Sequence, residues 1–415
     1  MAKCLISSLL AASALVLSAC NASKPVENDI SALHAASSEL RRPTPTNDPR
    51  EPKLTSQAPI GELETVATFD GAMPTGVAVS HAGRIFLNFP RWGDDVEFTV
   101  AELKNGKTTP YPNAELNRIP PPGHLETGLI SVQSVVIDAL DRLWLLDTGS
   151  IKMQHTELGG PKLVGVDLGS NQVFTTIVFP RSSALATSYL NDVRFDLTRG
   201  KAGFAFITDS SSEGPNGILI ADLQSGKSWR KLNDHPSTKP DRSMLPIVEG
   251  QVLMEREAGK PAKPFATGSD GIAISNDGKT LYYCPLTSRH LYSVPTDALL
   301  NEAMPDSAVG RLVKDLGEKG ASDGLESDAQ GRIYATNTEQ NAILRRNVDG
   351  SFETLVSDPR VLWPDTLALA TDGHLYFTAN QLDRQPRFHE GKDLRQKPYV
   401  LFRIKTDGQP VLLKK

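Results

Sequence analysis

The sequence has little cysteine. It contains three cysteines in 415 residues, and two of them, Cys4 and Cys20, lie within the first twenty positions. Only Cys284 remains in the rest of the chain, so an intramolecular disulfide is excluded there. Packing must hold the fold together, and a chain that is 39% hydrophobic and 22% charged is long enough to bury a large core.

Other shortages exclude whole functional classes. The formal net charge of -5 predicts no nucleic-acid partner. The eight histidines show no His-Glu-x-x-His or paired zinc spacing, and no Gly-x-Ser-x-Gly elbow occurs. The stretch "NDGKT" at 276 imitates the end of a phosphate loop, but Ala273 stands where that loop requires glycine. We therefore predict neither a zinc hydrolase nor a nucleotide-binding protein.

Long apolar runs are confined to the start of the chain. Residues 1–20, "MAKCLISSLLAASALVLSAC", combine a basic start, an apolar stretch and small residues before Cys20, which is the pattern of a secretory signal. The ending "LSAC" resembles a bacterial lipobox and predicts lipidation of Cys20, although an ordinary signal peptide would also fit. Residues 21–59 are polar and Pro-rich and are predicted to be a flexible tether.

Residues 60–415 contain a repeated hairpin. Copies begin at positions 74, 133, 190, 269, 322 and 362, and the copy at 269 reads "SDGIAISNDGKTLYYCPL". Each alternates apolar residues at period two, turns on a short polar loop and resumes as a strand. A second, weaker strand pair follows in several copies. Six units of four strands predict an all-β fold, a six-bladed β-propeller whose last blade is completed from both chain ends.

The ends of these hairpins are polar. If the first strand of each blade is innermost, the residue before it and the residue after the second strand lie on one rim of the central channel. The positions before the first strand are Thr75, Ser134, Asn191 with Asp192, Asp270, Asp323 and Asp365. Those after the second strand are Asn88, Asp147, Asp209, Asn337 and Asn380.

This acidic rim predicts a binding site. Carboxylates that enter one narrow channel should shift each other's pKa values or be neutralised by a metal, a cationic ligand or protein donors. The alternative is that Asp and Asn merely satisfy backbone N–H groups and tie blades together. Two long insertions, from Tyr111 and from Asp234, are candidates to cover the rim.

Aromatic residues stand near the same hairpin ends. Trp92, Trp363, Phe89 and Tyr189 flank them in the sequence. Such rings stack on a ligand in some proteins and pack between blades in others, and the sequence leaves both roles open.

Several segments resemble the major royal jelly protein and insect yellow family. They are "PRWGDDVEFTVAEL" at 90, "DRLWLLDTG" at 141, "YLNDVRFD" at 189 and "LWPDTLALATDGHLYFTANQL" at 362. The resemblance implies an exported six-bladed propeller that binds an aromatic amine, a quinone or a similar molecule, with dopachrome-tautomerase-like activity in some members. Carried over by motif, the family-like positions are Asn191, Asp192, Trp363, Asp365 and Asn380.

A more distant resemblance is to the gluconolactonase and regucalcin type of six-bladed propeller. It implies a metal-dependent lactonase with calcium or another divalent cation, held here by Asn191, Asp270 and Asp323 if a metal is present. Thr75 stands where that type has a glutamate, which disfavours this alternative.

The sequence thus predicts a monomer, exported to the cell envelope as a lipoprotein or secreted, whose partners are a small molecule and a membrane reached through Cys20. The predicted ligand-binding residues are Asn191, Asp192, Asp270, Asp323, Asp365 and Asn380. Catalytic residues and a cofactor are not assigned.

Overall fold

The computed structural model describes residues 58–415. The predictions for residues 1–20, for Cys20 and for nearly all of the tether lie outside the described residues. Among residues 58–415, no helix is long and apolar enough to cross a membrane.

Six four-stranded antiparallel sheets form the six blades that the repeats predict. The first strand of the chain, β1 (Leu63–Phe69), belongs to the last blade. Blade 1 contains β2 (Gly76–Val79), β3 (Ile85–Asn88), β4 (Val100–Lys104) and β5 (Lys107–Pro110). Blade 2 contains β6 (Val132–Ile137), β7 (Arg142–Asp147), β8 (Lys162–Asp167) and β9 (Gln172–Val178). Blade 3 contains β10 (Leu190–Asp196), β11 (Phe204–Asp209), β12 (Gly217–Asp222) and β13 (Ser228–Lys231).

An insertion carrying two short hairpins precedes blade 4. Its strands are β14 (Ile247–Val248), β15 (Gln251–Val252), β16 (Met254–Glu255) and β17 (Lys263–Pro264). Blade 4 contains β18 (Ser269–Ile274), β19 (Thr280–Pro285), β20 (His290–Pro295) and β21 (Lys314–Glu318). The helices α1 (Thr296–Leu300) and α2 (Asp306–Gly310) lie between its last two strands.

The last two blades bring the two ends of the domain together. Blade 5 contains β22 (Leu325–Ser327), β23 (Ile333–Asn337), β24 (Ala342–Arg346) and β25 (Phe352–Ser357). Blade 6 contains β26 (Pro364–Leu369), β27 (His374–Ala379), β28 (Tyr399–Lys405) and, outermost, β1. Short 3₁₀ turns occupy Leu125–Thr127, Leu382–Arg384 and Pro386–Phe388.

The ring closes as the sequence predicts, because β1 pairs with β28 along its whole length. The first strands of neighbouring blades contact one another, so they are innermost. Apolar side chains fill the space between blades; Trp144, for example, stacks on Phe195 of the next blade with ring centroids 5.1 Å apart. The hairpin ends therefore do meet around one rim of a central channel.

Candidate functional site

Glycines bring three aspartates of successive blades together. Asp270 and Asp323 are each followed by glycine, and these glycines lie against the backbone of the next blade. A Cβ on Gly271 would overlap the Asp323 carbonyl oxygen, and a Cβ on Gly324 would overlap that of Asp365. Because no side chain could be accommodated there, the Asp-Gly pairs are what allows the three aspartates to converge.

Hydrogen bonds join the first two of these carboxyls. Asn191, on blade 3, donates its Nδ2 to Oδ1 of Asp270. The carboxyls of Asp270 and Asp323 are close enough to raise or lower each other's pKa, and they can form a hydrogen bond when one of the two carries a proton. Trp363 donates its indole Nε1 to Oδ2 of Asp323 at 2.7 Å. The chain of bonds thus runs from blade 3 to the start of blade 6.

The third carboxyl is held within blade 6. Asn380 donates its Nδ2 to Oδ2 of Asp365 at 2.7 Å, which links the two ends of the same hairpin. Trp363 and Gln381, which flank that hairpin, have left-handed backbone conformations, with φ of 50° and 60°. For a bulky aromatic residue this conformation is strained, and such strain concentrates at functional sites.

The three carboxyls are buried and lack a cationic partner. Burial raises the pKa of Asp270 and of Asp365 well above the usual value, and the Asp323 carboxylate raises both further. Burial also raises the pKa of Asp323, to about 6, against the opposing hydrogen bonds from Trp363 and with Asp270. Among residues 58–415, no Lys, Arg or His forms an ion pair with any of them. The Asp cluster, defined as Asp270, Asp323 and Asp365, therefore favours a proton or a bound cation.

Asp192 differs from the cluster because it has a cation of its own. Arg194 Nη1 lies 3.0 Å from Oδ2 of Asp192, and Ser134 Oγ donates to Oδ1 at 2.7 Å. Arg194 also donates its Nη2 to the carbonyl oxygen of Leu325 at 2.7 Å and lies 3.6 Å from Glu326. Since Leu325 and Glu326 belong to blade 5 and Arg194 to blade 3, the guanidinium crosses the channel below the Asp cluster.

A cavity opens above the Asp cluster. It measures about 740 Å³ with its open mouth included, and the three aspartates and Asn191 form part of its lining. Trp92 and Tyr189 form part of its wall: Trp92 donates its Nε1 to the Tyr189 hydroxyl at 2.5 Å. That hydroxyl donates in turn to Oε1 of Gln133 at 3.0 Å. The cavity thus combines acidic groups with aromatic surfaces, a lining suited to a small aromatic cation.

One of the two predicted insertions reaches the cavity. The insertion from Asp234 contributes Glu255 and Phe265, as the sequence predicts for it. The insertion from Tyr111 contributes no lining residue among those described and packs elsewhere: Asn117, for instance, accepts a hydrogen bond from the backbone of Val100 in blade 1. The first insertion therefore reaches the cavity, as predicted, whereas the Tyr111 insertion packs against blades 1 and 2: Lys162 Nζ, in blade 2, donates to the Leu125 carbonyl oxygen at 2.9 Å.

A further insertion lines the cavity, and the hairpin pattern does not predict it. It connects β27 to β28 and places Leu382 and Arg387 in the lining. Its backbone joins the Asp234 insertion, because the Arg256 N–H donates to the Arg387 carbonyl oxygen at 2.8 Å. In the sequence, the only indication of this insertion is the length of the connection between two strongly apolar strands.

Most hairpin ends outside the cluster are structural. Asn88 donates to Thr75 Oγ1 at 2.7 Å and to the backbone carbonyls of blade 2, so it ties blade 1 to blade 2. Asn337 accepts from the N–H of Gln340 at 3.2 Å within a turn. Asp147 and Asp209 are fully buried and each has a cation partner. At these positions the alternative of backbone satisfaction and blade pairing is the one observed.

The four aromatic residues that flank the hairpin ends also fall into two groups, one buried in the core and one lining the cavity. Phe89 packs in the core between blades 6 and 1, and Trp363 is 2% exposed. Trp92 and Tyr189 line the cavity. Only the latter two are placed to contact a ligand, while Trp363 acts through its bond to Asp323.

The residues predicted for a metal are arranged as a hydrogen-bonded cluster. Asn191 presents its amide nitrogen to Asp270, and the carboxyls of Asp270 and Asp323 interact directly. Within residues 58–415, no group of three or more His, Cys, Asp or Glu side chains is positioned to hold a metal ion. This geometry does not fit the lactonase-type ligand set, and a divalent cation stays a prediction.

Sequence comparisons relate the chain to known proteins. The family model for major royal jelly protein matches residues 130–407. The chain is 25% identical over 267 residues to protein yellow of Drosophila guanche, covering 60% of this chain and 43% of that protein. It is 25% identical over 245 residues to dopaminechrome tautomerase of Drosophila melanogaster, covering 56% and 50%. The chain thus matches half or less of the length of these relatives.

Structure comparison agrees on architecture. The X-ray structure of a candidate gluconolactonase is 12% identical, with a TM-score of 0.51 over 84% of this chain and 93% of that one. At this identity the likeness shows the fold alone.

Proposed function

The chain belongs to the major royal jelly protein family, and from that premise we propose that it binds a small aromatic amine, or a related quinone, in the cavity above the Asp cluster. One observation carries the proposal: three buried carboxyls without an ion-pair partner among the described residues meet in a cavity with aromatic walls. An ammonium group would supply the missing cation, and the ring would pack against Trp92 and Tyr189.

The same cluster is suited to moving a proton. When one of the neighbouring carboxyls of Asp270 and Asp323 is protonated and the other is not, one can give a proton while the other receives one. Tautomerisation of an aminochrome to a dihydroxyindole needs two such transfers: two protons leave ring carbons and two are added to the quinone oxygens, with no oxidant consumed. We infer a dopachrome-tautomerase-like activity on these grounds, with the similarity to dopaminechrome tautomerase as support.

The lactonase alternative stays a prediction. The likeness to a candidate gluconolactonase concerns the fold alone, and no contact among the described residues favours lactone hydrolysis over amine binding.

A thermal-unfolding titration with dopamine tests the binding proposal. At about a hundred times its dissociation constant, dopamine should add about 2.7 kcal/mol to the stability of the protein. Catechol, which keeps the ring and lacks the amine, is the matched control and should shift the melting temperature far less. Asp365→Asn should weaken the dopamine effect. Equal shifts with catechol and dopamine would contradict a role for the carboxyls, and a shift with calcium or zinc instead would favour the metal site.

We also propose that the chain is exported and carries lipid on Cys20, supported by the pattern of residues 1–20. Labelled palmitate should enter the wild-type protein in bacterial cells and fail to enter Cys20→Ser. Incorporation of palmitate into the Cys20→Ser variant would contradict the proposal that Cys20 carries the lipid.

A further inference from the structure

Arg387 is the one residue of the insertion between β27 and β28 that brings a positive charge to the cavity lining. Two aromatic rings hold its guanidinium: it lies 4.6 Å from the ring centroid of Phe388 and 5.8 Å from that of Phe265. Its Nη1 contacts Sδ of Met153 at 3.3 Å. The side chain is therefore fixed by packing and not by a carboxylate.

The guanidinium has unused hydrogen-bonding capacity. Its Nε is buried and has no hydrogen-bond partner in the described part of the chain, and no carboxylate there forms an ion pair with Arg387. The Met153 sulfur is only a weak acceptor. A buried donor without a partner is costly, and it is the kind of group that a ligand satisfies.

The cavity thus has opposite charges in its lining. The Asp cluster attracts a cation, while Arg387 offers a planar fork of N–H donors that matches a carboxylate. Arg387 and Asp323 influence each other through space without pairing. Arg387, Glu255 and the Asp cluster therefore line one cavity, and Arg387 is not paired with any of these carboxylates among the described residues.

We propose that Arg387 recognises the carboxylate of the ligand, so that the cavity selects zwitterionic aromatic amines over those that carry only the amine. The inference rests on the proposed function, since it requires that an aromatic amine binds with its ammonium group at the Asp cluster. It makes Arg387 a specificity-determining residue. A role as a distant counterion for the cluster is the competing explanation.

Two ligands that differ by one carboxylate separate these explanations. We would titrate the full-length protein with L-DOPA and with dopamine by calorimetry, without oxygen and at pH 7.5. The wild type should prefer L-DOPA by about tenfold or more, the scale of one charge-assisted pair. In Arg387→Met, which preserves packing between Phe265 and Phe388, L-DOPA should bind more weakly while dopamine binds as well as before or more tightly.

Weaker binding of L-DOPA without any loss of dopamine affinity is the decisive result. If Arg387 only balances the cluster, its removal changes both affinities in the same direction, and that outcome overturns the inference. Equal affinity of the wild type for both ligands also overturns it while leaving amine binding intact. Binding of neither ligand overturns the proposed function and this inference together. Arg360→Met removes an exposed charge paired with Asp358 and serves as the control, with both affinities unchanged.

Discussion

Aspartates at the hairpin ends of blades 2 and 3 contrast with those of blades 4 to 6. Asp147 lies 2.8 Å from Lys162 Nζ, and Asp209 lies 2.7 Å from Arg230 Nη1. The Asp cluster is also buried but has no such partner among the described residues. An aspartate near this rim therefore stabilises the fold where a cation is paired with it. Where no cation is paired with it, the aspartate remains available to bind a ligand. Asp147 and Asp209 lie at the end of the second strand of their hairpins and the cluster lies at or just before the start of the first, so the two sets differ both in position and in having a cation partner.

The largest effect should come from breaking a paired aspartate. Asp209→Asn leaves the buried Arg230 without its counter-charge and should lower the free energy of unfolding by about 3–5 kcal/mol. Asp323→Asn is the matched variant: it keeps the shape, can still accept from Trp363, and should cost at most about 1 kcal/mol at pH 7.5. Guanidinium unfolding at an unchanged m-value measures both. Equal losses of stability in the two variants would contradict the distinction between paired and unpaired aspartates.

The dependence of stability on pH should separate the two groups next. The pKa of Asp323 is about 6 in the folded protein and about 3.9 when unfolded, so the native state retains a proton over that interval. The contribution of the protonated Asp323 carboxyl to the free energy of unfolding is fully present below about pH 4. It is lost as the pH rises to about 6. The loss should be up to about 1.4 kcal/mol per pH unit.

Unfolding curves at pH 4, 5, 6 and 7 check this dependence. Other carboxyls titrate in the same range, so the informative quantity is the difference between the wild type and Asp323→Asn. That difference should change in favour of the variant as the pH rises. A constant difference would mean that Asp323 is ionised throughout.

The sequence predicts more of the fold than of the site. The period-two hairpins predict six blades, and glycines such as Gly271 and Gly324 mark where neighbouring strands approach. The same pattern predicts the polar residues Asp270, Asp323 and Asp365, and the structure brings them together. Asp192, which the sequence groups with them, is paired with Arg194 two residues further on and is not among the residues that line the cavity.

What the sequence could not show depends on tertiary contacts. Lys162 and Arg230 reach Asp147 and Asp209 from other strands of the same blades, and nothing in the hairpin pattern indicates that pairing. Arg387 lies in an insertion without periodicity, so its place in the cavity follows only from packing between distant segments.

The smallest change in stability should come from a substitution in the cavity wall. Trp92→Phe removes the hydrogen bond to the Tyr189 hydroxyl, which keeps its bond to Gln133, so stability should fall by only about 1 kcal/mol. Dopamine affinity should fall a few-fold because the ring contact is smaller. Calorimetry and thermal unfolding of the same sample compare the two. A stability loss as large as that of Asp209→Asn would show that Trp92 mainly stabilises the fold and does not mainly contact a ligand.

The guanidinium of Arg194 links the inner strands of blades 3 and 5 beneath the Asp cluster. A cavity on the opposite face shares no lining residue with the one above the Asp cluster, and Arg194 borders it. We expect a molecule that binds above the cluster to enter and leave by the same mouth. The two insertions at that mouth, which are bonded to each other, would set the residence time of the ligand as well as its rate of association.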